Sequence, residues 1–341
     1  MSPSPSPNRI DIVNALRAFA AIFVAWGHFS LGQGKWLNWS GQYGYTGVYI
    51  FFVISGFIIP YSLYRSQYTL RNFWRFLLKR GIRLYPPYLL SIPLSILAAN
   101  LVLRPLAPAS AVHVGGRQLL YHLLFLNDLA GVPWVNVVYW TLAIEWQWYL
   151  LAGLLFPLLV SRTALVRFVP VAMAMASYFL STSDRIVPHT LPIFLIGVFV
   201  FQHRIGLIGR GRMLALIALM LWAMHGPTGW LVAGISVATG LVIAFVSFRH
   251  RIADFLGDVS YSVYLLHLPI GVSLIAWLSH LLPFSGSYLG ALDLAGMLAS
   301  VAAAAFLYRW VEKPSQEMSS RVRFVRDDHG KLALAAAAAT K

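Results

Sequence analysis

Cysteine is absent from this chain of 341 residues, which excludes disulfide bonds and a thiol nucleophile. Charge is scarce as well, because only 11% of the residues are Asp, Glu, Lys or Arg, whereas soluble domains carry about 25%. The sequence has no P-loop, no G-x-G-x-x-G motif and no H-E-x-x-H or C-x-x-C spacing. Nucleotide hydrolysis on a glycine-rich loop is therefore not expected, and neither is a metal site.

Hydrophobic residues make up 59% of the chain, and the mean hydropathy is +0.69. Apolar stretches of about 18–22 residues recur along it, which is long enough for an α-helix to cross a bilayer. We therefore predict an all-α, polytopic membrane protein with about ten transmembrane helices. The predicted spans are 12–31, 45–64, 84–103, 136–160, 168–181, 188–202, 213–225, 229–248, 260–282 and 288–309.

The basic residues fall mainly on one side of these spans. That side holds Arg9, the loops 65–83, 162–167, 204–212 and 249–251, and the segment from Arg309 onward. The other side holds only Lys35, Arg104, Arg117 and Arg185. Because cytoplasmic loops carry the excess of Lys and Arg, both termini are predicted to be cytoplasmic. The net charge of +15 thus indicates orientation rather than nucleic-acid binding.

The spans leave no room for a separate soluble domain. We predict a cytoplasmic tail over 1–11, a transmembrane domain over 12–312 and a cytoplasmic tail over 313–341, the last disordered or partly introduced by cloning. The long external loop 104–135 includes the apolar stretch QLLYHLLFLNDLAG. That stretch is too short to cross the bilayer, so it is predicted to be a re-entrant or interfacial helix.

Arg17 and His28 are the only ionisable side chains in the first apolar span. Their spacing of eleven residues places both on one helix face, about 16 Å apart. Ionisable groups at membrane depth are costly and usually mark a pathway or a reaction site. The alternative is that Arg17 snorkels to the headgroups while His28 bonds to a neighbouring helix. We favour a functional pair, with a neutral His28 as general base.

Glu145 and His267 also lie inside apolar spans. Glu145 is predicted at a depth similar to that of His28, where a carboxylate would orient the imidazole and stabilise its protonated form. Its alternative is a structural pairing with another polar group. His267, in the stretch SYSVYLLHLPI, is interpreted as a packing histidine with satisfied hydrogen bonds.

A run of basic residues precedes the third span. Arg71, Arg75 and Lys79 recur at a helical spacing of four, which is typical of an amphipathic helix on anionic lipid. Arg80 and Arg83 lie at the start of the span itself. Two guanidinium groups at a cavity mouth suit a polyphosphate, because each offers a planar fork of donors.

Five segments together resemble the acyltransferase-3 family of membrane O-acyltransferases, and they occur in the order of that family. They are DIVNALRAFAAIFVAWGH (11–28), GVYIFFVISGFII (47–59), FLLKRGIRLYPPY (76–88), WTLAIEWQWYLL (140–151) and SYSVYLLHLPI (260–270).

The resemblance implies a ten-helix fold in the bacterial cytoplasmic (inner) membrane. Such enzymes take an acyl group, usually acetyl, from cytoplasmic acyl-coenzyme A and transfer it to a hydroxyl of a surface or exported carbohydrate. It also implies that His28 is essential and that Arg17, Arg80 and Arg83 serve the donor. Some members carry a fused extracytoplasmic hydrolase-like domain; here we expect transfer on this polypeptide or with a separate partner.

We therefore expect acyl-coenzyme A as a co-substrate and no tightly bound cofactor. The acceptor would be a carbohydrate or a lipid-linked glycan, and the partners would be membrane lipid and the envelope polysaccharide machinery, with no nucleic acid. A continuous tunnel should lead from the arginines to His28. The rival interpretations are a proton-coupled transporter or flippase of a glycan or lipid-linked intermediate, and a scaffold protein. A transporter should show two related halves, which the sequence lacks.

Overall fold

The structure is a computed structural model that describes residues 10–30, 35–106, 112, 114–181, 183, 185–226, 228–281 and 289–325. Within these ranges every regular element is a helix and no strand occurs. Most of the predicted N-terminal tail and the end of the predicted C-terminal tail, 326–341, lie outside the described residues.

A long helix covers each of the ten predicted apolar spans. The ten are α1 (Asp11–Ser30), α2 (Gly47–Arg65), α3 (Phe73–Leu97), α4 (Trp140–Leu159), α5 (Ala164–Leu180), α6 (Val187–Arg204), α7 (Arg210–Met224), α8 (Trp230–Phe245), α9 (Arg251–Leu266) and α10 (Leu289–Leu307). Three of them continue as π-helix, over Ala98–Leu103 after α3, His267–Val272 after α9 and Tyr308–Glu312 after α10. The segments Ser273–Leu281 and Lys313–Arg321 then return to α-helix.

Six helical stretches within the described residues are long and apolar enough to cross a membrane. They are Asp11–Ser30, Asn38–Arg65, Leu70–Leu106, Val137–Leu159, Arg251–Leu281 and Gly290–Arg321. The helices α5 and α8 are apolar but shorter. The chain is therefore a multi-pass helical membrane protein, while the count of ten spans and the cytoplasmic location of both termini stay predictions.

Two glycines allow a close backbone approach between α2 and α6. A Cβ atom built on Gly56 would lie 2.0 Å from the carbonyl oxygen of Phe194, and one built on Gly197 would lie 2.2 Å from that of Val53. Glycine at both positions lets the two backbones touch, as small residues do between transmembrane helices. The α2–α6 contact thus fixes the position of α2, which forms one wall of the cavity described below.

Helices α1 and α9 run parallel, side by side. Near the start of α1, Asn14 Nδ2 donates a hydrogen bond of 3.1 Å to Oδ1 of Asp258, which lies midway along α9. Near the C-terminal ends of both helices the rings of His28 and His267 lie 5.2 Å apart, measured between centroids. The two helices are therefore in contact from Asn14 to His28 of α1.

The π-helical segment after α9 contains Pro269, which has no N–H to donate to the carbonyl oxygen of Leu265. The side chain of Asn136 donates to that oxygen at 3.5 Å. Proline is tolerated in membrane helices where a neighbouring group satisfies the freed carbonyl in this way.

The long external loop forms two short helices, Gly116–Leu124 and Asn127–Ala130. His122, at the end of the first, is fully buried. The backbone N–H of Val135 donates to its Nε2 at 3.2 Å, and the Tyr88 hydroxyl lies 3.1 Å from its Nδ1. His122 therefore holds the loop against α3, whereas the re-entrant or interfacial placement of the loop stays a prediction.

Candidate active site

A cavity of about 260 Å³ lies inside the bundle, between α1, α2, α3, α4, α9 and the π-helical end of α10. Five charged side chains line it: Arg17, Arg80, Arg83, Glu145 and Glu312. The sequence singled out the first four of these. The structure brings the three arginines, which come from two different helices, to one cavity.

Arg80 is held by aromatic rings rather than by an ion pair. Its guanidinium carbon lies 5.5 Å from the ring centroid of Phe76 and 5.5 Å from that of Tyr149. The residue is only 9% exposed, and its Nε has no hydrogen-bond partner among the described residues. An unsatisfied buried donor is costly, so the Arg80 guanidinium has a donor ready for an anionic ligand.

From the sequence we expected Glu145 to bond to His28. In the structure its hydrogen bonds are instead to residues of this cavity. Its Oε1 accepts a hydrogen bond of 2.5 Å from the Tyr149 hydroxyl and one of 3.1 Å from Ser55 Oγ. It also interacts electrostatically with Arg17 and Arg80. A similar depth in the membrane did not bring Glu145 to His28, because the Glu145 side chain points towards Ser55 on α2.

Glu312 is a second carboxylate that sequence reasoning missed. It is 1% exposed, and it accepts hydrogen bonds of 2.6 Å from Ser262 Oγ and 2.9 Å from Gln316 Nε2. It interacts electrostatically with Arg17 and Arg83. The available signal was its rarity, since the chain has only 11 acidic residues and this one adjoins an apolar helix.

The balance of charge in the cavity favours anions. Three guanidinium groups face two carboxylates, and hydrogen bonds from Ser55, Tyr149, Ser262 and Gln316 already occupy those carboxylates. Guanidinium groups bind phosphate through paired N–H donors. The cavity is therefore suited to a ligand with several negative charges.

At its far end the cavity is lined by Tyr264, one turn before His267 on the same chain segment. The Tyr264 hydroxyl lies 2.7 Å from Thr141 Oγ1 and donates to the carbonyl oxygen of Val138 at 3.2 Å. The ring of Phe51 packs edge-on against it, with the centroids 6.0 Å apart. These contacts hold Tyr264 in place at the end of the cavity.

His28 does not line the cavity, so the continuous tunnel that we expected is not open in this structure. Tyr264 connects the cavity to the histidines, because it lines the cavity and its ring centroid lies 5.8 Å from that of His267. Among the described residues, His28 has a ring contact with His267. The structure thus places the three arginines at one end and a pair of histidines beyond the other.

Only one of the two ring nitrogens of His267 has a hydrogen-bond partner among the described residues. This differs from our interpretation of His267 as a packing histidine with satisfied hydrogen bonds. It is fully buried, and its Nδ1 lies 3.3 Å from the carbonyl oxygen of Val263. Its Nε2 is buried with no hydrogen-bond partner among the described residues.

The family model of an acyltransferase domain, acyltransferase-3, matches residues 10–310. The chain belongs to this family. The resemblance seen in the five sequence segments is thereby confirmed, and the cavity lies in an acyltransferase domain.

Three curated proteins illustrate how this acyltransferase relates to others. Nodulation protein 10 of Rhizobium leguminosarum bv. viciae is 26% identical over 345 residues, which cover 80% of this chain and 86% of that protein. O-acetyltransferase OatA of Staphylococcus aureus is 33% identical over 171 residues, covering 46% of this chain and 26% of OatA. The putative peptidoglycan O-acetyltransferase YrhL of Bacillus subtilis is 32% identical over 151 residues, covering 41% of this chain and 22% of YrhL.

The acyltransferase thus matches most of Nodulation protein 10 but only about a quarter of OatA and of YrhL. No solved structure matches the chain.

Proposed function

We propose that this protein transfers an acyl group, most often acetyl, from cytoplasmic acyl-coenzyme A to a hydroxyl of a surface or exported carbohydrate. It would do so in the bacterial cytoplasmic membrane, with ten spans and both termini cytoplasmic. The acetyl group and the carbohydrate acceptor follow the names of OatA and YrhL, which are O-acetyltransferases, the latter putatively of peptidoglycan. The observation that carries the proposal is the convergence of Arg17, Arg80 and Arg83 on one cavity of an acyltransferase domain.

The donor binds through its phosphorylated head. Arg80 and Arg83 hold the phosphates, and the unpartnered Nε of Arg80 supplies one of the donors. Arg17 lies deeper along α1 and contacts the neck of the donor. The carboxylates of Glu145 and Glu312 hold this arginine cluster together when no anion is bound, because each interacts electrostatically with Arg17.

The pantetheine arm then extends along α1 towards His28, over the separation of about 16 Å that eleven helical residues span. Tyr264 has to turn aside for the thioester to pass, which breaks its hydrogen bonds to Thr141 and Val138. Donor binding is therefore coupled to movement of this one side chain.

The chemistry takes place at His28. Its neutral imidazole removes the proton from the acceptor hydroxyl as that oxygen attacks the thioester carbonyl carbon. The new C–O bond forms, the C–S bond breaks, and the imidazolium returns its proton to the departing thiolate. Direct transfer of this kind needs no covalent intermediate; an acyl-histidine is the less favoured variant.

The donor site is tested by binding of coenzyme A to the purified protein in lipid nanodiscs. Arg83→Gln should weaken binding about tenfold, because a charged hydrogen bond to phosphate contributes about 1.5–3 kcal/mol. Arg75→Gln is the matched control. It removes the same charge from the same helix, but Arg75 is exposed, contacts Arg323 and does not line the cavity. Equal losses in both variants would contradict the assignment and indicate a general effect of charge.

The acceptor is identified by mass spectrometry of surface and secreted glycans from cells with and without the gene. Acyl groups that disappear with the gene support the proposal. Unchanged acylation, together with altered export of an unmodified glycan, would instead support the transporter or flippase.

A further inference from the structure

Two histidines from different membrane helices meet beyond the end of the cavity. The rings of His28 and His267 have centroids 5.2 Å apart and planes inclined at 40°. The parallel packing of α1 and α9 brings them together, since the same two helices are also joined by the hydrogen bond from Asn14 to Asp258. The pair is therefore part of the helix packing and not a chance contact of flexible side chains.

The hydrogen bonding of His267 shows which of its two ring nitrogens can accept a further hydrogen bond. Its Nδ1 lies 3.3 Å from the Val263 carbonyl oxygen, which can only accept, so Nδ1 carries the hydrogen. Nε2 is then a lone-pair acceptor, and it is buried with no partner among the described residues. Buried polar atoms are nearly always bonded, so this lone pair is available for a group that changes during the reaction.

The proposed reaction creates such a group. Neutral His28 carries a hydrogen on one nitrogen, and the other takes the proton from the acceptor hydroxyl, so that His28 becomes a cation with two donors. One faces the reacting atoms, and the other needs an acceptor, because an unpaired charge in an apolar region is costly. Glu145 does not supply this acceptor, since Tyr149 and Ser55 hold its carboxylate in the arginine cavity.

We infer that His267 is a positioning residue, whose Nε2 accepts a hydrogen bond from His28 and stabilises its protonated form during acyl transfer. The inference rests on the proposed function of His28. The backbone around His267 is consistent with it. The π-helical segment begins at this residue, and such segments in α-helices frequently occur at functional sites.

The test compares two variants of His267 in the purified protein. His267→Leu keeps an apolar side chain in the buried space but removes the acceptor, whereas His267→Gln keeps an amide oxygen close to the position of Nε2. We expect His267→Leu to lower kcat for acyl transfer by about 10–100-fold, by analogy with the range found when the hydrogen-bond partners of metal-ligating histidines are removed. The KM for the donor should stay within about twofold, and His267→Gln should recover most of kcat.

A role in packing alone predicts a different pattern. Leu would then keep kcat, or Leu and Gln would lose kcat, donor affinity and thermal stability together, and either result overturns the inference. Wild-type protein and His28→Ala are assayed in parallel. If the wild type transfers no acyl group, or His28→Ala still does, then the proposed function fails, and the inference with it. If both behave as proposed while His267→Leu stays active, only the inference fails.

Discussion

Tyr149 and Glu145 lie one turn apart on α4 and share a hydrogen bond of 2.5 Å, in which the phenol donates to the carboxylate. The same phenol ring packs against the guanidinium of Arg80. Tyr149 thereby keeps the carboxylate occupied while it supports the arginine. One side chain thus contacts both the carboxylate and the guanidinium of the cavity.

Tyr149→Phe keeps the ring and removes only the hydroxyl. Glu145 then loses its shortest hydrogen bond, and its carboxylate competes with the donor phosphates for Arg80. We expect the Kd for coenzyme A to rise about 5–20-fold, which corresponds to about 1–2 kcal/mol. The measurement is ligand titration in nanodiscs. Tyr121→Phe, a change of the same kind in the loop and away from the cavity, should leave the Kd unchanged.

His28→Ala separates chemistry from donor binding. Because His28 does not line the arginine cavity, its loss should abolish acyl transfer and leave the Kd for coenzyme A within about twofold of the wild type. Turnover and ligand titration on the same preparation provide both numbers. Transfer at the wild-type rate would show that another group removes the proton.

Gly56→Ala tests the contact between α2 and α6. The new Cβ would meet the Phe194 carbonyl oxygen at 2.0 Å, so the two backbones must separate, at a cost of about 1–3 kcal/mol. We expect a lower Tm in detergent. Gly234→Ala is the matched control, because a Cβ there meets nothing within 4 Å and alanine is the better helix former. Equal Tm values for the two variants would contradict the close contact.

His122 makes stability depend on pH. Burial lowers the pKa of His122 from 6.5 to about 4, and the Val135 N–H donates to its Nε2, which leaves no acceptor for a second proton. Since the unfolded chain binds the proton more readily, the contribution of His122 is complete above pH 6.5 and is lost as the pH falls towards 4.

We expect the protein to lose about 2 kcal/mol over that interval, seen as a falling Tm in a pH series. In His122→Gln the amide oxygen can still accept from Val135 but cannot titrate. The Tm of that variant should therefore fall less between pH 6.5 and 4 than the Tm of the wild type. If Tm falls equally with pH in the two proteins, His122 is not the cause of the pH dependence.

The sequence was informative about the helices and the arginines for physical reasons. Apolar runs have to be helical in a bilayer, and the structure has a helix over every predicted span. Arg17, Arg80 and Arg83 are costly to expose to lipid, so that an inward-facing cavity was foreseeable. The family resemblance was found from short segments in a fixed order.

The contacts of the remaining polar residues could not be predicted in the same way. Topology gives the depth of a residue but not the direction in which its side chain points around the helix axis. Glu145 was therefore assigned to His28, although it bonds to Ser55 and Tyr149. The contact between His28 and His267 depends on the parallel packing of α1 and α9, and the sequence separation of 239 residues conceals it.

The glycine contact between α2 and α6 also restricts how the cavity could accept a larger acyl group. Because the backbone of α2 already touches the backbone of α6, α2 cannot move away from the cavity. Any widening has to come from other walls, such as the one that includes Thr141 and Tyr264, whose hydroxyl oxygens lie 2.7 Å apart. Preference for short or long acyl chains should therefore be set by these two residues, and they are where substrate range can be altered by design.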